Sequence, residues 1–141
     1  MQEYYFILII YDIIVTVITN MKDCIFCKII EGDIPSKTIY EDDRVKVIMN
    51  INPEQNGDLL IVLKRHIKDF TDLSDDEATH INQVIKNIND RLYERLDLTG
   101  VQLITNSGTC QEIKHFHIHM TPGYEVEQAI MDLDIIYDKL K

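Results

Sequence analysis

Three histidines alternate with apolar residues in the segment His115-Phe116-His117-Ile118-His119-Met120. In an extended strand, alternate side chains point to opposite faces, and same-face neighbours lie ~6.6 Å apart. The spacing therefore predicts His115, His117 and His119 on one face of a strand over 114–120. Phe116, Ile118 and Met120 then face the core. A single histidine fits a satisfied core or surface position. Three on one strand face gain nothing as packing and repel one another when protonated. Two chemistries use such a face. Neutral imidazoles bind metal, and an imidazole with a pKa near ~6.5 is available at neutral pH as a nucleophile or acid–base group.

Cys24 and Cys27 stand in a Cys-x-x-Cys pair. Such a pair supplies two thiolates to a tetrahedral zinc site, which needs two more ligands. His66 and one histidine of the trio could complete a Cys2His2 set. The pair is also compatible with two buried thiols. An open zinc site built from the whole trio, as in a metal-dependent hydrolase, fits less well, because the cysteines and His66 already close a site with one trio member. The chain has 3 cysteines, an odd number. That is not a secreted disulfide framework and points to a reducing, cytoplasmic compartment. Cys110 reads as an ordinary loop cysteine, and His80 as an exposed position on a helix.

The elements that must position these residues follow from periodicity and turn signals. Cys24 to Glu31 is a short amphipathic helix stopped by Gly32. Thr38–Tyr40 and Arg44–Met49 read as strands joined by the Glu41-Asp42-Asp43 turn. Residues 52–58 are loop, and the apolar run Leu59–Leu63 is a strand covered on both faces. Ser74-Asp-Asp-Glu77 is a capping box. It starts a long helix with Ala78, Ile81, Val84, Ile85, Ile88, Leu92 and Leu96 on one side, stopped by Gly100. Val101–Thr105 is a strand followed by a turn at Asn106-Ser-Gly108. Pro122-Gly123 ends the histidine strand. Val126, Ala129, Ile130, Leu133, Tyr137 and Leu140 predict a final amphipathic helix. The pattern is an α+β domain with an antiparallel sheet of about five strands.

The 141 residues fit one domain, and the formal charge of -10 disfavours nucleic acid as a partner. A small phosphate ligand remains compatible with a locally donor-rich pocket. Residues 4–18 are nearly all apolar but for Asp12. No basic residue precedes Lys22, so a signal peptide is not indicated. A mid-segment aspartate also weakens a spanning helix. Residues 1–20 are read as an extension that the domain over 21–141 does not need, with Met21 a natural start. The competing reading is a membrane-associating tail.

The pattern His115-x-His117-x-His119 resembles the signature of the histidine-triad nucleotide-binding family, in its zinc-bearing bacterial-type branch. The resemblance extends through Cys24-Ile-Phe-Cys27-Lys-Ile-Ile-Glu-Gly-Asp-Ile-Pro35, Glu41-Asp42, Asn52-Pro53, Leu60-Ile-Val-Leu-Lys64-Arg65-His66 and Asn106-Ser-Gly108. It covers roughly Asp23 to Tyr124. It implies an α+β fold, a homodimer, and a purine nucleotide or nucleotide conjugate as ligand. It further implies hydrolysis or transfer of nucleoside monophosphate groups from phosphoramidate, acyl-phosphate or dinucleoside polyphosphate substrates. His117 then corresponds to the nucleophile that forms a nucleotidyl-imidazole intermediate, and His119 to a phosphate contact. Cys24, Cys27, His66 and His115 correspond to the ligands of a structural zinc. Asn106, His119 and backbone amides near Gln111 are candidate donors to the nonbridging oxygens.

The sequence departs from that pattern at two places that bear on function. Asn50 stands where an aspartate commonly holds the ribose hydroxyls. Glu112 stands where a serine commonly serves the leaving group; a carboxyl there acts as the acid only if its pKa is raised. These departures favour an alternative, a nucleotide-binding regulatory protein with little turnover.

Overall fold

Five strands bounded by turn residues pair into one antiparallel sheet, ordered β1-β2-β3-β5-β4. They are β1 (Thr38–Glu41), β2 (Val45–Met49), β3 (Leu59–Leu63), β4 (Gly100–Ile104) and β5 (His117–Gly123). The helices are α1 (Gln2–Asp23), α2 (Ile25–Glu31), α3 (Asp75–Arg95) and α4 (Leu133–Leu140). This computed structural model describes residues 2–141.

Register decides which side chains share a face. Leu60 pairs with Ile48 and with His119, and Val62 pairs with His117. One face thus carries Ile48, Leu60, Val62, His117 and His119, and Cys24, Phe26 and Cys27 at α2 pack with Ile48 and Val62. The opposite face carries Val47, Leu59, Ile61, Phe116 and Met120, packed against Ile81, Val84, Ile88 and Leu92 of α3 and Ile136 and Leu140 of α4. Each such Leu or Ile contributes about 1.5–3 kcal/mol by leaving water. The core therefore lies on one side of the sheet and the chemistry on the other.

Local signals set the helix ends. Ser74 and Glu77 form the expected capping box on α3, each side chain bonding the other's backbone amide. Gly32 closes α2 at φ 88°, a left-handed cap that glycine adopts without a Cβ clash. The loop before β3 needs Gly57 at φ 85°, where a Cβ would stand 2.6 Å from a Leu96 methyl.

Five expectations are corrected. The histidine strand begins at His117 and not at Lys114. His115 N bonds Ile113 O, Phe116 N bonds Ile67 O, and the Lys114 ammonium bonds the Gly108 and Gln111 carbonyls, so 114–116 turns away from the ladder. Pro122 and Gly123 lie inside β5, paired with Val101 and Gly100. Past Met120, β5 is laddered to β4 alone, where proline is tolerated.

Gly100 opens β4 and does not stop α3, which ends at Arg95 with Leu96 as its cap. Ala78 is exposed, while the rest of the α3 stripe is buried or half-buried. The last helix is only Leu133–Leu140. Val126, Ala129 and Ile130 lie on an exposed strap before it. The buried Asn56 holds that strap, donating to Ala129 O at 3.0 Å and accepting from Met131 N at 2.8 Å. Backbone groups so engaged cannot make a helical ladder.

The extension forms helix α1, with Ile7, Leu8, Ile9, Tyr11 and Ile13 exposed. No helix among the described residues is long and apolar enough to cross a membrane.

Candidate active site and metal centre

Cys24, Cys27, His66 and His115 converge, with one donor atom of each lying within 4.8 Å of all the others. Cys24 caps the start of α2, its sulfur accepting from Cys27 N at 3.4 Å. His66 follows β3, and His115 precedes β5. His115 Nδ1 lies 3.3 Å from Cys24 Sγ, 3.5 Å from Cys27 Sγ and 3.1 Å from His66 Nδ1. His66 Nδ1 lies 3.1 Å from Cys27 Sγ.

These separations test the fit to an ion. With metal–N near ~2.0–2.1 Å and metal–S near ~2.3 Å, the edges of a tetrahedron come to about 3.3–3.8 Å. Of the four edges given above, 3.3 and 3.5 Å fall within that range and the two at 3.1 Å fall just below it. His115 Nε2 donates to Leu63 O at 2.6 Å, which leaves the lone pair on Nδ1, facing the cluster. Four lone-pair donors converging at such distances fit a cation. Burial, then the neighbouring Cys24, pushes the Cys27 thiol up to about 12. A bound cation inverts that tendency and holds the thiolate. Burial lowers the pKa of His115 to about 4 and lowers that of His66, so both rings are neutral at pH 7, as ligands must be.

His117 and His119 share the other end of this face, their ring centroids 5.1 Å apart. His117 is buried and donates its Nδ1–H to the main-chain oxygen of His115 at 2.6 Å. That bond selects the tautomer with the lone pair on Nε2. Burial lowers the His117 pKa, and neighbouring His119 lowers it further, against the opposing pull of the His115 carbonyl. The ring is therefore a neutral base or nucleophile at pH 7. Thr105 Oγ1 donates to His117 O at 2.9 Å, and Phe26 packs on the ring with centroids 4.9 Å apart.

The remaining candidates fall in different places. Asn106 is half-buried, just beyond β4. Asn50 lies at the end of β2, its Nδ2 on Asp58 and its Oδ1 accepting from Asn52 N. Gln111 is buried; its amide nitrogen donates to Lys68 O at 2.5 Å and its backbone N–H is engaged by Gly108 O. That amide serves the turn. Glu112 is exposed and lines a cleft with Asp23, Cys24, His66, Lys68 and Lys114, on the metal side. Lys64 pairs with Glu41, and Arg65 pairs with Glu77.

His80, expected exposed, is half-buried and bonds Asp42 at 2.7 Å. Burial raises the Asp42 pKa, but Tyr40, two backbone amides and His80 outweigh it and hold the carboxyl low. Sequence reasoning also missed Phe26 and Thr105. Phe26 was legible only as one of two apolar residues between the cysteines.

The arrangement defines a class, an antiparallel α+β domain with a histidine pair beside a Cys2His2 cluster. The HIT domain family model matches residues 31–126, and the chain belongs to that family. It is 35% identical over 128 residues to an uncharacterised HIT-like protein of Methanocaldococcus jannaschii, covering 84% of this chain and 98% of the relative. It is 31% identical to an Arabidopsis thaliana protein named adenylylsulfatase HINT3, covering 76% of this chain and 55% of that one. A crystal structure of a zinc-bound histidine triad family protein from Mycobacterium smegmatis superposes with a TM-score of 0.77 at 28% identity, covering 85% of this chain and 91% of that one. The fold expected from the sequence is the fold observed.

Proposed function

We propose that the protein hydrolyses or transfers nucleoside monophosphate groups from phosphoramidate, acyl-nucleotide or dinucleoside polyphosphate substrates, with His117 as nucleophile. One observation carries this reading: a buried imidazole whose Nδ1–H is fixed on a carbonyl at 2.6 Å, leaving Nε2 unprotonated beside a second histidine. The Arabidopsis relative's name, an adenylylsulfatase, supports nucleotide chemistry of this kind.

The steps balance as follows. The Nε2 lone pair attacks phosphorus, and the bond from phosphorus to the leaving group breaks with its electron pair. The leaving group takes a proton, for which Glu112 or water is the source. His117, now bonded to phosphorus, shares its positive charge with the His115 carbonyl through Nδ1–H. Water then attacks phosphorus, loses its proton to solvent, and the P–N bond breaks to restore neutral His117. His119 and Asn106 are the proposed donors to the nonbridging oxygens.

We assign zinc to Cys24, Cys27, His66 and His115, a closed four-ligand set that supplies structural rigidity and no open position. The zinc-bound Mycobacterium relative supports this choice of metal. The ligand is taken as a purine nucleotide or its conjugate. The active form is taken as a homodimer joined along β4, an edge strand whose Leu103 and Ile104 are exposed beside a groove against α3. Residues 1–20 are taken as dispensable to the domain.

A nucleotide-binding protein of low turnover is the second reading, favoured by Glu112 standing exposed on the metal side. Incubation with an adenosine phosphoramidate separates the two. The enzyme reading expects a mass increase of one nucleotidyl group on wild-type chain and none on His117→Ala. Turnover with no such adduct on rapid quenching, or turnover undiminished in His117→Ala, would sink it.

A further inference from the structure

We propose that the sugar end of the site takes 2′-deoxyribonucleotide conjugates nearly as well as ribonucleotide ones, because its buried carboxylate, Asp58, is spent on protein donors and offers no acceptor to a ribose hydroxyl. This rests on the reading of His117 as nucleophile, which puts the reacting phosphate beside His117 and His119.

Register places the sugar end. Two-residue steps along β5 carry His117, His119 and Thr121 on the active face. Across β3 they meet Val62, Leu60 and Asp58, the last through Thr121 Oγ1 at 3.0 Å. Asn50 extends the β2–β3 ladder, its N–H donating to Asp58 O at 3.0 Å. Asn50, Asp58 and Thr121 thus form one polar row, ~6.6 Å beyond His119 by strand rise. The Cys2His2 cluster stands at the other end of the face, past the Val62–His117 pair. A nucleoside hung from a phosphate at His117 and His119 runs away from the cluster and over this row.

The hydrogen bonds already made within the row decide what it can recognise. Asp58 is 2% exposed; its Oδ1 accepts from Thr121 Oγ1, and its Oδ2 accepts from Glu54 N and Asn50 Nδ2. The Thr121 hydroxyl proton is used there. Asn50 Oδ1 accepts from Asn52 N at 3.0 Å. Reversing the Asn50 amide would set its oxygen against the Asp58 carboxylate and its NH2 against the Asn52 N–H, so the orientation is fixed. What remains for a sugar is one N–H and one carbonyl lone pair of the half-buried Asn50. One hydroxyl, accepting and donating, satisfies both. The 3′-hydroxyl, common to ribose and deoxyribose, is enough. Gln102 pairs with Thr121 from β4 and is exposed, so water serves it when no hydroxyl does.

Magnitudes separate this arrangement from a ribose-selective one. A site built to bond a substrate hydroxyl rejects the analogue lacking it by ~10⁴-fold or more, because a buried polar group is left unpaired. Here loss of the 2′-hydroxyl leaves no buried group of the row unpaired, so that penalty does not arise.

The test compares the 5′-phosphoramidates of adenosine and 2′-deoxyadenosine on the full chain. Their kcat/KM values should agree within about threefold. A companion variant exchanges the pair, Asn50→Asp with Asp58→Asn. It keeps one carboxylate and one amide in contact but moves the charge to the half-buried position 50, where it accepts from the 2′-hydroxyl. Preference for the ribose substrate should rise about tenfold or more, the worth of a hydrogen bond to a charged group. Each ratio is taken on one protein sample, so partial misfolding cancels. A wild-type preference for ribose of about tenfold or more overturns the proposal, as does a folded exchange variant whose ratio matches wild type. Calorimetric affinities of the wild-type chain for adenosine monophosphate and its 2′-deoxy form make the same comparison without turnover. Equal affinities in a chain that turns over neither substrate would refute the nucleophile and uphold the sugar assignment. Binding of neither nucleotide would overturn both.

Discussion

Asn50 donates its side-chain amide to Asp58 at 3.2 Å, and Asp58 is a carboxylate only 2% exposed. The same carboxylate accepts from Glu54 N and Thr121 Oγ1, both at 3.0 Å. A neutral amide at position 50 therefore balances a buried charge at position 58. Asn50→Asp should place two carboxyls in contact and raise the pKa of one of them. A raised carboxyl pKa favours the folded state at low pH and loses that support as pH rises through the folded value. The variant should be less stable than wild type by about 1–3 kcal/mol at pH 8 and should recover toward wild type near pH 5. Urea denaturation at the two pH values checks this. An equal deficit at both would refute the pairing.

Glu77 holds Arg65 through two bonds, at 2.7 and 2.8 Å, and caps Ser74. Arg65, then Ser74, lowers its pKa to about 2, against burial. A depressed folded pKa gives stability that is full above the unfolded value near 4.5 and is lost as pH falls toward about 2. Glu77→Gln should cost about 1 kcal/mol at pH 7, the worth of a cap with a surface ion pair. The cost should shrink on acidification between those two values. A constant difference in melting temperature across that window would show that the charge plays no part.

The proposed metal ligands come from three separate elements, so their removal should be felt in the fold as well as in the metal content. Cys24→Ser, Cys27→Ser should lower zinc from about one per chain to a small fraction. Thermal unfolding should move to lower temperature. Full stoichiometry in the double variant would assign the metal elsewhere.

α1 presents Ile7, Leu8 and Ile9 to solvent, and among the described residues the core lies beyond it in sequence. A chain beginning at Met21 should fold, bind zinc and dimerise like the full chain. Insolubility of that shorter chain, or partition of the full chain into vesicles, would favour the membrane-associating reading.

The sheet and its active face were legible because β3 and the His117–Met120 half of β5 are written in uninterrupted apolar or alternating runs. The capping box and Gly32 marked helix ends through local chemistry. What stayed hidden depended on long-range partners. Asn56 captures backbone groups 73 and 75 residues away and so shortens the last helix. Lys114 pins the loop before His115 and so shortens β5. His80 meets Asp42 only because the β1–β2 turn packs against α3. No local pattern encodes such meetings. The alternation of 115, 117 and 119 still assigned their face correctly, because Phe116 remains in the core after the ladder ends.

Glu112 separates two accounts of the leaving-group proton. It is exposed, in a cleft with His66, Lys68 and Lys114. If its carboxyl delivers the proton, Glu112→Gln removes the acid while keeping size and hydrogen-bonding capacity. Substrates whose leaving group is a poor amine should then slow about 100-fold or more, in the range ascribed to general acid catalysis. Substrates with a good leaving group, such as an acidic phenol, depart without protonation and should change little. KM should stay constant in both series, because the cleft that Glu112 lines includes neither Asn106 nor His119. The slope of log kcat against leaving-group pKa should therefore steepen in the variant. Parallel lines for wild type and variant would remove Glu112 from the chemistry and leave water as the proton source, with His117 still the nucleophile. Equal slowing of every substrate, with loss of zinc, would instead place Glu112 behind His66 as a support of the metal centre.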